Sequence, residues 1–138
     1  MMIDCIFCKI IAGEISSQKV YEDKDIIVIL DISQLTLGHS IVIPKNHKRW
    51  LWDHEDEEYC KIMKISKKIA NSMREALGIE WVEMIVAGIG VEHTHVHILP
   101  RYEDDGHKEI PMPETKTKEF KEEEIKEVLE KIKNALVV

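Results

Sequence analysis

The chain reads as an α+β fold: an antiparallel sheet of about five short strands, one long central helix and a second helix at the end of the chain. Two observations predict it. Short β-branched or alternating apolar runs, closed by Gly, Pro or Asp, fall on both sides of a stretch whose apolar residues recur every three or four positions. A second stretch with that helical spacing follows a loop rich in Pro and Gly. The 138 residues suit one domain, 1–138, and are too few for two well-cored ones.

Residues 5–12 read as a short turn or helix closed by Gly13, and residues 19–22 as a first short strand. Residues 26–31 are apolar and β-branched, which predicts a buried strand. Gly38 opens the next one, in which residues 39–43 alternate until Pro44 removes a backbone donor, and the two strands form an antiparallel pair. From 56 to 77, Tyr59, Ile62, Ile65, Ile69, Met73 and Leu77 build one apolar helical stripe, stopped by Gly78. Residues 81–87 read as a strand, 88–90 as a turn, and 91–99 as a strand ended by Pro100. After the loop around Gly106 and Pro111-Met112-Pro113, a helix over about 118–136 carries Phe120, Ile125, Leu129, Ile132 and Leu136 on one face and Lys and Glu on the other.

Composition narrows the function classes. With 26 acidic and 19 basic residues the net charge is -7, and no stretch concentrates Lys and Arg, which argues against a duplex-DNA binder. The longest apolar run, Ile26–Leu30, has five residues, whereas a membrane-spanning helix needs about 20. The first residues lack a cationic n-region and an apolar h-region, so a cytoplasmic location is expected. Three cysteines, an odd number, point away from a disulfide framework and toward metal or thiol chemistry.

The informative segment is His93-Thr94-His95-Val96-His97-Ile98-Leu99. In a strand His93, His95 and His97 share one face, at steps of roughly 6.5 to 7 Å. Apolar packing does not select three imidazoles on one face, and each ring is usable as nucleophile, base or ligand. Read on its own, the trio is compatible with nucleophilic catalysis or with an open three-histidine metal centre, although neighbours on one strand converge poorly on one ion. Cys5-x-x-Cys8 supplies half of a tetrahedral zinc shell; two reduced buried thiols or a redox pair are the other readings.

His-x-His-x-His followed by two apolar residues closely resembles the signature of the histidine-triad (HIT) family, with Thr94 in place of an apolar residue. Cys5-Ile6-Phe7-Cys8-Lys9-Ile10-Ile11-Ala12-Gly13-Glu14-Ile15, Leu30-Asp31-Ile32-Ser33, Gly38-His39, Ile43-Pro44-Lys45-Asn46-His47 and Pro100-Arg101 resemble the family's other segments in order. The resemblance implies a HIT-like fold in a homodimer, with the helix containing Ile62 to Leu77 at or near the interface. It also implies a hydrolase or nucleotidyl transferase acting at the α-phosphorus of purine nucleoside phosphoramidates or related conjugates. Alternatives are a dinucleoside polyphosphate hydrolase and a nucleotide-binding interaction protein with little turnover.

By the same resemblance His95 is the nucleophile. His97 and His39 set its tautomer and hydrogen-bond the phosphate, backbone amides near Gly88 and Gly90 take up charge together with Arg101, and Asp31 binds the ribose. Phe7, Ile10, Leu30 and Ile32 wall the base. Cys5, Cys8, His47 and His93 are implied to hold one structural zinc ion per chain. Many relatives carry Gly-Gln-Ser/Thr-Val before the triad; here the run is Gly88-Ile89-Gly90-Val91, which lacks the hydroxyl that assists the leaving group, and Glu92 beside it is either solvent-facing or a substitute polar contact.

Overall fold

The computed structural model describes residues 4–115 and 118–138. Helix α1 (Ile6–Ile11) precedes strands β1 (Lys19–Glu22), β2 (Ile26–Leu30) and β3 (Ser40–Pro44). Helix α2 (Asp56–Leu77), strands β4 (Val82–Ile85) and β5 (Val96–Pro100) and helix α3 (Glu122–Ala135) follow, with single 3-10 turns at Leu51–Asp53 and Pro113–Thr115. The strands form one antiparallel sheet in the order β1-β2-β3-β5-β4, so β5 inserts between β3 and β4.

All five residues of β2 are buried because both faces of the sheet are covered. Alternation sends Ile26, Val28 and Leu30 to the face under α2 and α3, where they meet Ile62, Ile69, Met73 and Ile132. Ile27 and Ile29 take the opposite face with Ile41, Ile43 and the α1 residues Phe7, Cys8 and Ile10. Gly78 caps α2 in the left-handed region at φ 64°, and its N–H returns to Arg74 O. Gly38, at φ 103°, lies where α3 closes on the sheet: a Cβ there would stand 3.1 Å from Pro100 Cγ and 3.3 Å from Val128 Cγ2.

Most boundaries shift by one or two residues, β4 covering Val82–Ile85 where 81–87 was expected, and two shift further. The strand expected over 91–99 begins only at Val96, leaving His93, Thr94 and His95 ahead of it. The β3–β5 ladder stops at the Val42–Val96 pair, two residues short of the end of β3; beyond it the Pro44 carbonyl accepts from His93 Nε2 at 2.7 Å and Thr94 N–H is spent on Lys48 O at 2.7 Å. The last helix starts at Glu122, not about 118, so Phe120 precedes it; Glu124 Oε1 accepts from the Lys121 N–H at 3.0 Å and sets that start. Residues 116 and 117 lie outside the described residues. Among the described residues no helix is long and apolar enough to cross a membrane.

Candidate active site and metal centre

Helix α1, the segment after β3 and the segment before β5 bring Cys5, Cys8, His47 and His93 together, with one donor atom from each inside a sphere of 4.8 Å mutual separations. His93 Nδ1 stands 3.3 Å from Cys5 Sγ, 3.6 Å from Cys8 Sγ and 2.9 Å from His47 Nδ1, and Cys8 Sγ is 3.3 Å from His47 Nδ1. Around a tetrahedral zinc ion with Zn–S of about 2.3 Å and Zn–N of about 2.0–2.1 Å, sulfur–nitrogen edges are about 3.6 Å and nitrogen–nitrogen edges about 3.4 Å. The four atoms are spaced for such an ion. The His93 tautomer agrees: Nε2–H donates to Pro44 O at 2.7 Å, which leaves the Nδ1 lone pair facing the thiols. Burial is the main cause that lowers the His93 pKa to about 4, so the ring is neutral, as a ligand must be.

His95 and His97 use their nitrogens on different partners. A carbonyl only accepts, so His95 Nδ1 donates to His93 O at 2.8 Å and Nε2 keeps its lone pair. His97 Nδ1 lies 2.9 Å from His39 Nε2, with the His95 and His97 ring centroids 5.0 Å apart. The Leu35 N–H donates to His39 Nδ1 at 3.3 Å, so the proton of neutral His39 sits on Nε2 and points at His97 Nδ1, which leaves the His97 proton on Nε2. Burial first, then the neighbouring His39 and His95, hold His97 down at about 4, against a smaller upward pull from Asp31. Asp31 Oδ2 stands 3.5 Å from His39 Nε2 and 3.9 Å from His97 Nδ1, while its Oδ1 accepts from Ser33 N–H at 2.8 Å.

His39 and His97 therefore form a hydrogen-bonded pair with the Asp31 carboxylate beside it, and one donor atom from each of the three lies within 4.8 Å of the others. The triad rings do not converge on one point: His93, His95 and His97 direct their Nδ1 atoms at thiols, a carbonyl and an imidazole respectively. The acceptor that fixes His95 is the His93 carbonyl, whereas the sequence reading assigned that task to His97 and His39. His95 is 7% exposed, and the side chains of His97 and Asp31 are 21% and 19% exposed, so the cluster reaches the surface on the His97–Asp31 side.

Phe7 touches His93 and His95 ring to ring, with centroids at 5.9 and 5.0 Å. Ile10 packs beside it, and Ile32 is fully exposed next to Asp31. Leu30 is not with them: strand parity turns it into the core beneath α2. Gly88, at φ 72°, lies under Trp50, whose ring would meet a Cβ at 2.6 Å; Gly90 stands in open space.

Arg101 departs from its expected role. Its guanidinium is buried and wholly engaged by Glu83, by Asp105 at 2.8 and 3.2 Å, and by the carbonyls of His107, Lys108 and Glu109, with the Trp81 ring 4.0 Å away. It organises the loop after β5 and has no donor left for a phosphate. Glu92 is exposed and pairs with Arg49 at 2.6 Å. His54 joins Thr94 to Glu58, and His107 Nε2 donates to Leu35 O at 3.1 Å; neither partner is signalled by the local sequence.

Residues 12–104 match the model of the HIT domain. An uncharacterised HIT-like protein of Methanocaldococcus jannaschii is 40% identical over 134 residues, covering 94% of this chain and 98% of that one. The adenosine 5'-monophosphoramidase of Saccharomyces cerevisiae is 37% identical over 101 residues, 72% of this chain and 64% of that one. The crystal structure of a zinc-bound histidine triad family protein from Mycobacterium smegmatis superposes with a TM-score of 0.78 at 28% identity, covering 96% of this chain and 93% of that one. With the motif, the sheet order and the family model in agreement, the chain belongs to the histidine-triad (HIT) family.

Proposed function

We propose that this HIT-family protein is a nucleotide hydrolase or nucleotidyl transferase acting at the α-phosphorus of a purine nucleoside 5'-phosphoramidate or a related conjugate. The 2.8 Å contact between His95 Nδ1 and His93 O carries the reading, since it leaves the His95 Nε2 lone pair available to phosphorus. The likeness to a yeast adenosine 5'-monophosphoramidase points to the phosphoramidate class.

In this reading His95 Nε2 forms a bond to phosphorus as the bond from phosphorus to the leaving amine breaks. The positive charge that develops on the ring is stabilised through Nδ1–H and the His93 carbonyl. The departing nitrogen takes a proton from solvent, since no Ser or Thr hydroxyl stands before the triad, while neutral His97 donates Nε2–H as a hydrogen bond to a phosphoryl oxygen. Water then attacks phosphorus as the phosphorus–nitrogen bond of the nucleotidyl-His95 breaks, which releases the nucleoside monophosphate, returns the water's proton to solvent and restores the neutral ring. Asp31 keeps carboxylate lone pairs for the ribose hydroxyls, Phe7, Ile10 and Ile32 face the base, and amides at Gly88 and Gly90 supply donors to the phosphate.

Cys5, Cys8, His47 and His93 would hold zinc in a structural role, tying the N-terminal helix to the segment that carries His95. A homodimer belongs to the same reading. Strand β4 is a sheet edge, and Trp81, Met84 and Val86 beside it are exposed.

The test is release of adenosine monophosphate from adenosine 5'-phosphoramidate, with acid-quenched mass spectrometry for a nucleotidyl adduct on His95. His95→Ala should lose turnover by about three orders of magnitude or more while remaining folded. Retained turnover removes the nucleophile. Tight nucleotide binding without product from phosphoramidates or dinucleoside polyphosphates would instead favour an interaction protein.

A further inference from the structure

Asp31 and His39 stand at the two ends of one loop, closed by Asp31 N–H donating to His39 O at 2.9 Å. Inside the loop Gln34 is 2% exposed, and its amide is fully used. Nε2 donates to Asp31 O at 2.6 Å and to His39 O at 2.7 Å, and Oε1 accepts from Gly38 N–H at 2.8 Å. One side chain thus ties both ends of the loop to its middle.

The residue after Gln34 touches the His39–His97 pair directly. Leu35 N–H donates to His39 Nδ1 at 3.3 Å, and its carbonyl accepts from His107 Nε2 at 3.1 Å. Tyr102 O–H holds the next turn through Leu37 O at 2.7 Å. The direction of the Leu35 peptide therefore decides which nitrogen of His39 carries the proton. If Leu35 N–H leaves Nδ1, that nitrogen is free to take the proton, and His97 then keeps the 2.9 Å contact only by moving its own proton to Nδ1 and donating to His39 Nε2.

We infer that Gln34 is a positioning residue: by fixing the loop it holds Leu35 N–H on His39 Nδ1, selects the Nε2–H tautomer of His39, and through it keeps the proton of His97 on Nε2. The claim about the protonation site stands on geometry, while its effect on turnover rests on the function proposed above. Gln34 hydrogen-bonds Asp31 O, His39 O and Gly38 N–H, not the rings of His97 or His95, so its action is through the loop.

The test is nitrogen NMR of the full-length, ring-labelled protein beside steady-state kinetics on adenosine 5'-phosphoramidate. In the wild type, His39 should show the Nε2–H tautomer; a proton on Nδ1 overturns the inference whatever the turnover. In Gln34→Met, close in shape but without the amide, His39 should become a mixture of tautomers, and kcat should fall about tenfold with KM within about twofold. A folded Gln34→Met with an unchanged His39 tautomer overturns it. Gln34→Glu keeps the acceptor for Gly38 N–H and loses both donors, so it takes the place of Gln34→Met if that variant does not fold, with the same outcomes. Absence of turnover in the wild type would count against the proposed function and leave the tautomer result to decide this inference.

Discussion

Thr94 Oγ1 lies 2.9 Å from His54 Nε2 and 2.9 Å from Lys48 O, so the hydroxyl between the first two triad histidines has two polar partners. This explains a polar residue where the family pattern has an apolar one. His54 is buried, and its other nitrogen is held by Glu58 on the first turn of α2. The long helix is thereby hydrogen-bonded to the segment that carries His95.

Thr94→Val restores the family's apolar residue but leaves the buried His54 Nε2 without its partner, so it should destabilise the fold by about 1–3 kcal/mol in urea unfolding. His54→Leu together with Thr94→Val removes both polar partners and should recover a large part of that loss. A double-mutant cycle with no coupling between the two positions would refute the pairing.

Arg101 and Asp105 set the acid limit of the fold. Burial works against the Asp105 carboxylate, yet the bidentate guanidinium and the N–H groups of Tyr102 and His107 hold it at about 2. Its pKa is depressed relative to the unfolded value of about 3.9, so its contribution is complete above that pH and lost as pH falls toward 2. The contribution is on the order of 2 kcal/mol. Asp105→Asn should therefore be less stable than the wild type at pH 7 by about that amount, with the difference shrinking between about pH 4 and pH 2 in equilibrium unfolding.

The site was unevenly legible. The apolar run 26–31 was legible as a buried strand, but its division between two faces was not read from it, and that parity turns Leu30 into the core beneath α2 although the family likeness had put it at the base. The Cys5-x-x-Cys8 spacing announced half of a metal shell, but nothing local says that His47 and His93 complete it; that came from resemblance alone. Arg101 misled because its partners Glu83 and Asp105 lie on separate segments, so its saturation is invisible before folding. Gln34 and the Leu35 N–H carry no sequence signal at all: a loop amide becomes informative only when its partners are known.

Zinc retention gives a direct measure of the cysteine–histidine cluster. The purified protein should carry about one zinc ion per chain by elemental analysis. Cys8→Ser and His47→Ala should lower that ratio, and a strong chelator should depress the melting temperature by on the order of 10 °C, as expected for removal of a ligand held far above its dissociation constant. His95→Ala should leave the ratio unchanged, since His95 spends Nδ1 on the His93 carbonyl. Loss of zinc in that variant would mean that the triad itself holds the ion.

His97 predicts a second, milder pH dependence of stability, distinct from that of Asp105. Its folded pKa of about 4 lies below the usual value of 6.5, chiefly because burial disfavours the imidazolium, so the unfolded chain binds the extra proton first. Stability from this residue is complete above about pH 6.5 and declines as pH falls toward 4. Below that value the loss levels off, because both states are protonated. His97→Gln removes the titrating group, and the difference in unfolding free energy between pH 7 and pH 4.5 should be smaller in the variant than in the wild type by on the order of 2 kcal/mol. An equal drop in both proteins would show that His97 is not held neutral, and the His39 Nε2–H would then have no lone pair to meet at His97 Nδ1.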